Sequence, residues 1–182
     1  MKIITSTFFL FCFLGLWTIS ADNNSVDTLP RIISSEWDKT DIIGHTSLRK
    51  FGFHIYDASY WNLEKGHDTN PSTSTALMIV YARDIDVGKL LNSTKKQWED
   101  IGISEEYQTE VWLEELGNIW PSVTKGDVLI ALVEPEGPTK FYSGHSMLGE
   151  MEDPKFGRAF LDIWLSSKTN YKKNRKELLN EQ

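Results

Sequence analysis

The sequence predicts an α+β fold, with an antiparallel β-sheet that carries helices packed on one face. Residues 126–166 read as three short strands followed by a helix. Upstream of them, apolar runs of strand length precede two segments whose apolar residues recur at helical spacing. The predicted order is therefore strands, two helices, three strands, a helix and a helical tail, which is typical of α+β proteins.

The three C-terminal strands are predicted from their boundaries. Residues 127–134 are rich in Val, Leu and Ile and lie between Gly126 and the breaker cluster 135–138, as expected for a buried strand. Residues 139–143 and 146–151 flank the dipeptide Gly144-His145, in which glycine can adopt a positive φ. These segments predict an antiparallel meander.

The helix after the meander has a clear start. Asp153 can accept hydrogen bonds from free backbone N–H groups, and proline is favoured at the first helical position. The helix is expected to reach about Leu165. Its apolar residues recur at i, i+4, i+7 and i+8, so one face packs on the sheet; they are Phe156, Phe160, Ile163 and Trp164.

The first half of the chain predicts further strands and two helices. Residues 44–61 indicate either a pair of strands or one long bent strand with Gly52 as a bulge, and residues 75–82 an interior strand after an exposed loop over 63–74. Asp84 or Asp86 is expected to cap a helix that ends at Gly102. Ser104 and Pro121 bound the next helix. We expect five rings in the core, those of Trp112, Trp120, Phe156, Phe160 and Trp164.

The length and net charge of the chain limit the kinds of partner that it can bind. The chain has 182 residues, enough for one domain, and a formal charge of −7, which argues against nucleic acid because phosphate binding needs a basic surface. A basic cluster lies in the helical tail and consists of Lys172, Lys173, Arg175 and Lys176. Two interpretations of this cluster are open. In the first, its charges complement the helix dipole and stay solvated. In the second, the cluster binds anionic lipid.

The N-terminus resembles a secretory signal. Lys2, the apolar residues 8–17 and the small pair Ser20-Ala21 predict cleavage after Ala21 and a periplasmic or secreted protein. The apolar run is short for a membrane span, so an integral membrane protein is not expected, although a retained anchor is the alternative. The domains are then a signal peptide (1–21), a leader (22–35) and one folded domain (36–182).

Motifs for catalysis and metal binding were not found. The single cysteine, Cys12, lies in the predicted signal, and the four histidines lack ligand spacing. No nucleophile elbow, phosphate-binding loop or dinucleotide-binding motif occurs. We therefore expect no metal and no cofactor.

Several segments carry a resemblance to a known family. The stretch KFYSGHSMLGEMEDPKFGRAFLDIWLS (140–166), the stretch GHTSLRKFGFHIYDASYW (44–61), and the segments ALMIVYARDI and IWPSVTKGD resemble, in the same order, the chalcone isomerase-like domain of bacterial exported proteins. The resemblance covers roughly residues 36–180. It implies the chalcone isomerase-like α+β fold.

The candidate site lies in the 44–61 segment. If the strand is regular, Arg49, Phe51, Phe53 and Ile55 share one face, and Tyr56 lies on the other. A guanidinium binds a carboxylate through two hydrogen bonds while the phenyl rings bury an aliphatic tail, so these five residues are the predicted ligand-binding residues. Alternatively, Arg49 only caps the core with its head in water.

The resemblance bears on catalysis. Plant chalcone isomerases use an early-strand arginine and a downstream threonine, while non-catalytic relatives bind fatty acids in the same cleft. The resemblance implies that Arg49 corresponds to the catalytic arginine and that Ile55 lies near the position of the threonine. Isoleucine cannot form a hydrogen bond with a ketone. No catalytic residue is assigned, and three functions stay open: binding of a fatty acid or similar apolar carboxylate, a partner-binding accessory role without a small ligand, and an intramolecular lyase acting on a flavonoid-like substrate.

Overall fold

The computed structural model describes residues 26–65, 73–103 and 108–181, so the predicted signal, Cys12 and Ser104 lie outside the description. The described residues form six strands and five helices. The strands are β1 (Lys39–Lys50), β2 (Phe53–Glu64), β3 (Ser74–Tyr81), β4 (Val128–Val133), β5 (Thr139–Ser143) and β6 (Met147–Met151). The helices are α1 (Arg31–Ser34), α2 (Val87–Ile101), α3 (Thr109–Ile119), α4 (Pro154–Leu165) and α5 (Lys172–Leu178).

The six strands form one sheet in chain order, β1 to β6, and each strand is antiparallel to its neighbours. The predicted meander over 126–151 is confirmed as β4, β5 and β6. The predicted antiparallel α+β fold is confirmed with it.

The segment 44–61 is a hairpin. Phe51 and Gly52 have φ angles of 51° and 82°, so the chain reverses there through two residues with positive φ, and Lys50 pairs with Phe53 across the turn. Of the two alternatives, the pair of strands is correct. The single regular strand that would place Arg49, Phe51, Phe53 and Ile55 on one face is wrong, because the turn puts Arg49 on β1 and Phe53 on β2.

Helices α2 and α4 begin where their predicted capping residues lie. Asp86 accepts a hydrogen bond from the backbone N of Gly88 over 2.8 Å, and Gly102, with φ of 83°, ends α2. Asp153 accepts from the backbone N of Lys155 over 2.9 Å and starts α4. The predicted caps of α2 and α4 and the predicted end of α4 near Leu165 are confirmed.

The main core lies between one face of the sheet and α2 to α5. All five predicted aromatic side chains belong to it and are at most 7% exposed. Phe156 meets the rings of Trp98 and Trp112 edge-on, with centroids 6.2 and 5.5 Å apart, and stacks on Phe160 at 5.6 Å. Such pairs add about 0.5–1.5 kcal/mol each beyond the area they bury, so the aromatic contacts stabilise this densely packed end of the core.

A second, smaller core covers the opposite face of the sheet. Leu29 and Ile33 pack there against Trp61, Met78 and Ile130. The short helix α1 is therefore added to this face, while the longer helices lie on the other, as predicted. Residues of the predicted leader over 22–35 thus contribute buried side chains to the domain.

The C-terminal helix α5 packs on β1. A Cβ atom at Gly44 would lie 2.1 Å from the carbonyl oxygen of Glu177, so only glycine permits this approach. Arg175 donates from Nε to the carbonyl oxygen of Leu165 over 2.9 Å and pairs with Glu181 at 2.6 Å. Part of the predicted basic cluster therefore holds the tail in place.

Candidate functional site

A cavity of about 200 Å³ lies between the sheet and the helices, beside the dense aromatic end of the core. The hairpin β1–β2 and strands β3 and β4 form its floor, and α2 and α4 form its roof. Large rings fill the core near α3 and β6, whereas at this end aliphatic and aromatic side chains together line a space between the layers.

The walls are mostly apolar. Phe160 and Trp164 separate the cavity from the aromatic cluster, their rings in contact at 5.2 Å. The apolar lining residues are Leu48, Ile55, Ile79, Ile85, Leu90, Trp120, Leu129, Phe160, Ile163 and Trp164. This arrangement, an apolar chamber with few polar groups, is typical of sites for small apolar ligands.

Two lysines lie at the mouth. Lys50, at the end of β1, and Lys89, in the first turn of α2, both line the cavity and are exposed. Within the described part of the chain, neither ammonium group forms an ion pair. The mouth therefore offers two cations that are free to contact an anion.

Tyrosine hydroxyls lie at the inner wall. The indole Nε1 of Trp164 donates to the hydroxyl of Tyr56 over 2.8 Å, and the rings of Tyr56 and Tyr81 meet edge-on at 6.3 Å. Burial raises the pKa of both tyrosines well above the ordinary value of 10. Both phenols therefore stay neutral and can donate a hydrogen bond to a bound molecule, but they do not act as bases.

Further polar atoms adjoin the cavity from α2 and the tail. Gln97 donates from Nε2 to the hydroxyl of Tyr171 over 2.9 Å. Its Oε1, like the indole Nε1 of Trp120, is buried and has no hydrogen-bond partner among the described residues. A buried polar atom without a partner costs free energy, so a bound molecule that reaches either atom is favoured.

The structure brings two of the five predicted residues to the cavity. Ile55 and Tyr56 line it side by side, although consecutive residues of a regular strand point to opposite faces. A register shift explains this, because Leu48 pairs with Tyr56 and Arg49 pairs with His54, which leaves Ile55 unpaired.

The other three predicted residues lie outside the lining. Leu48 is buried and Lys50 borders the mouth, so Arg49, between them on the strand, points to the opposite side. Phe51 and Phe53 belong to the end of the hairpin and are 89% and 65% exposed. The cation that β1 places at the mouth of the cavity is therefore Lys50.

Sequence reasoning missed the contribution of α2. Leu90, Thr94, Gln97 and Ile101 fall at i, i+4, i+7 and i+11, so the polar Thr94 and Gln97 interrupt an apolar helical face. Polar residues in a helical face that should be buried were the sequence signal that α2 contributes to a cavity. The sequence around Tyr171, in the segment before α5, contains no comparable signal.

The described ranges hold neither a metal-binding cluster nor a membrane-spanning helix. They contain no group of three or more His, Cys, Asp or Glu side chains that could hold a metal ion. None of their helices has the length and apolar character needed to cross a membrane.

Comparison with known proteins identifies the family. A family model described as chalcone isomerase-like matches residues 35–180, most of the chain. The chain belongs to the chalcone isomerase-like family. A search of curated proteins with the sequence of this chalcone isomerase-like protein found no match.

The fold has a solved counterpart. The crystal structure of a fatty-acid binding protein from Arabidopsis thaliana is similar, with a TM-score of 0.60 and 8% sequence identity. The match covers 79% of this chain and 88% of that chain. At this identity the likeness shows the shared chalcone isomerase-like fold.

Proposed function

We propose that this chalcone isomerase-like protein binds a fatty acid or a similar apolar carboxylate in the cavity between the sheet and helices α2 and α4. One observation carries the proposal: an apolar chamber opens at a mouth where Lys50 and Lys89 have no ion-pair partner among the described residues. The fatty-acid binding protein of the same fold supports it.

The charges set the orientation of the ligand. A carboxylate buried deep in the chamber would meet the neutral hydroxyls of Tyr56 and Tyr81 without a cation, and burying an unpaired charge is costly. At the mouth, the same carboxylate meets Lys50 and Lys89 while partly hydrated. We therefore place the carboxylate at the mouth and the apolar tail inside.

The volume sets the length of the tail. An apolar cavity of about 150 Å³ holds benzene, which has six carbons, so about 200 Å³ holds roughly eight carbons on that scale. A medium-chain acid such as decanoate then fills the chamber with its carboxylate at the lysines. Longer chains must extend past the mouth into water and gain little further affinity.

The accessory role without a small ligand is the weaker alternative. It predicts a filled core, whereas the described core leaves a chamber lined by ten apolar residues. A lyase acting on a flavonoid-like substrate remains the second candidate, and the hydroxyls of Tyr56 and Tyr81 at the inner wall favour it.

The test is a calorimetric titration of delipidated protein with octanoate, decanoate and palmitate, with decanol as the matched neutral control. We expect decanoate to bind, and to bind about tenfold more tightly than decanol because of the lysines. Absence of heat for every acid would overturn the proposal. Conversion of a chalcone, followed by its absorbance, would support the lyase instead.

We also propose that the chain is exported, on the strength of the apolar run 8–17 and the small pair Ser20-Ala21. Mass spectrometry of the protein from its native source should then find a chain that begins at Asp22. Recovery of chains that begin at Met1 would contradict export by cleavage.

A further inference from the structure

The end of the β1–β2 hairpin exposes two phenylalanine rings. Phe51 is 89% exposed and Phe53 is 65% exposed, whereas the other exposed large apolar side chains among the described residues range from 40% to 48%. We call residues 50–53 the hairpin tip. Contiguous exposed apolar side chains commonly mark a contact surface. Two phenyl rings exposed to water at one point of the surface therefore indicate such a surface.

The backbone at the tip is also unfavourable for the residue that occupies it. Phe51 has a φ of 51°, in the left-handed region that suits glycine or asparagine and strains a bulky side chain. Phenylalanine at this position adds backbone strain to an exposed ring, and packing within the chain compensates for neither. An observed strain of this kind points to a function for the side chain.

Each of the two rings has one cationic side chain next to it. The Nζ of Lys50 lies 5.9 Å from the ring centroid of Phe51, and the guanidinium of Arg83 lies 5.7 Å from that of Phe53. Neither cation is in an ion pair with another described residue. The chain carries a formal charge of −7, so this positive group with exposed rings stands out against an acidic molecule.

The acidic side chains close to the tip are already engaged. The Oδ1 atom of Asp57 lies 2.9 Å from Nε2 of His54 and also accepts from the hydroxyl of Ser47. Asp84 accepts from the backbone N of Lys125 over 2.8 Å. Neither carboxylate forms an ion pair with Lys50 or Arg83 in the described part of the chain, so both cations can contact an anionic partner.

We propose that the hairpin tip docks on the surface of an anionic lipid bilayer, with Phe51 and Phe53 entering the boundary between headgroups and acyl chains. Lys50 and Arg83 then contact lipid phosphates, since an apolar centre with basic neighbours is what binds such surfaces. Lys50 also borders the cavity mouth, so docking brings that mouth to the bilayer. The proposal stands on the hairpin and does not require the proposed function.

A second copy of the chain fits the tip less well. A symmetric pair joined at this point would set Lys50 and Arg83 of one copy near the same cations of the other. An anionic bilayer offers the opposite charge and a hydrocarbon layer for the rings. Charge complementarity therefore favours the bilayer.

The test is co-flotation of the protein with vesicles that contain no free fatty acid. Vesicles of phosphatidylglycerol and phosphatidylcholine in equal parts are compared with vesicles of phosphatidylcholine alone. We expect binding to the anionic vesicles that weakens with added salt, and a loss of roughly tenfold or more in the double variant Phe51→Asn, Phe53→Thr. Asparagine suits the positive φ, so this variant keeps the fold.

Matched controls separate the tip from general surface effects. Val111→Thr removes an exposed apolar side chain on α3, and Lys155→Glu reverses an exposed charge on α4; both should bind like the unaltered protein. Arg83→Glu should lose roughly tenfold.

Equal binding by the double variant, or no binding to anionic vesicles, would overturn the proposal. A dimer in analytical ultracentrifugation that the double variant abolishes would assign the tip to a second copy and would overturn it as well. Decanoate titration of the double variant is independent of these outcomes, so failure of docking and failure of fatty-acid binding are distinguishable.

Discussion

The indole Nε1 of Trp164 donates a hydrogen bond of 2.8 Å to the hydroxyl of Tyr56, which joins α4 to β2 at the inner wall of the cavity. The donor and acceptor are 108 residues apart in the chain. Because the tyrosine oxygen accepts this bond, its own proton remains available to a bound molecule. The bond therefore serves both the stability of the fold and the shape of the site.

Replacing Tyr56 with phenylalanine should leave the Trp164 N–H without its acceptor. We expect the free energy of unfolding to fall by about 1–3 kcal/mol, measured by urea denaturation. Tyr60→Phe is the control, because Tyr60 is buried on the same strand and its hydroxyl has no partner among the described residues. It should change stability by less than about 0.5 kcal/mol. An equal loss in both variants would refute the importance of the bond.

Two glycines in helices should respond in opposite directions to alanine. A Cβ at Gly157 in α4 would lie 2.6 Å from both Thr139 Oγ1 and Val133 Cγ1, whereas at Gly117 in α3 it would lie 3.4 Å from Leu91 Cδ1. Gly157→Ala should therefore destabilise the fold by about 1–3 kcal/mol despite better helix propensity. Gly117→Ala should stabilise it by about 0.5–1 kcal/mol. Thermal unfolding of both variants checks the pair, and stabilisation by Gly157→Ala would show that α4 is not packed as described.

The attachment of α5 to β1 should weaken in acid. Glu177 accepts a hydrogen bond from Thr46 and lies 3.3 Å from Lys173, and these contacts lower the pKa of its carboxyl group from the ordinary value of 4.5. A lowered pKa in the folded state stabilises the protein above the unfolded value, and this stabilisation is lost as the pH falls through the folded value.

The corresponding experiment compares the melting temperatures of the unaltered protein and Glu177→Gln from about pH 6 to about pH 3. The variant should melt at a lower temperature at the upper end of this range, and the difference should shrink towards zero at the lower end. A difference that stays constant across the range would assign the effect to something other than ionisation of Glu177.

The structure assigns the ligand-binding cation of the hairpin to Lys50, whereas the sequence predicted Arg49, and substitution of each residue distinguishes the two assignments. Lys50→Met should weaken decanoate binding by about tenfold, equivalent to about 1.4 kcal/mol, because it removes a cation at the mouth. Arg49→Met is the matched control and should leave affinity unchanged, since Arg49 points to the other side of β1. Calorimetry measures both. The reverse outcome would restore Arg49 as the ligand-binding cation.

Most of the fold was accessible from local sequence features. The strands β4 to β6 have glycine and proline boundaries, and α4 has both a cap and a regular apolar face. Such signals act within a few residues, so they can be read without knowing the tertiary structure. The buried rings of Phe156 and Phe160 followed from the same periodicity.

The residues of the site were harder to predict from the sequence, because the geometry of the site depends on two irregularities in the β1–β2 hairpin. A turn at Phe51 and Gly52 separates Arg49 from Phe53, and the unpaired Ile55 shifts the register of β2. Each irregularity changes which side chains face the core, since strand residues alternate between faces. Strand periodicity alone therefore selected Arg49 where the structure places Lys50.

The central claim is that an apolar carboxylate lies between the sheet and helices α2 and α4. Methyl NMR of the protein titrated with decanoate tests it most directly, because the two faces of the sheet carry distinguishable methyl groups. Ile79, Leu129 and Ile163 line the cavity, whereas Ile130 and Leu132 belong to the core on the opposite face. We expect the first three to shift on titration and the last two to stay in place. Shifts confined to Ile130 and Leu132, or no shift at any of the five, would contradict the account.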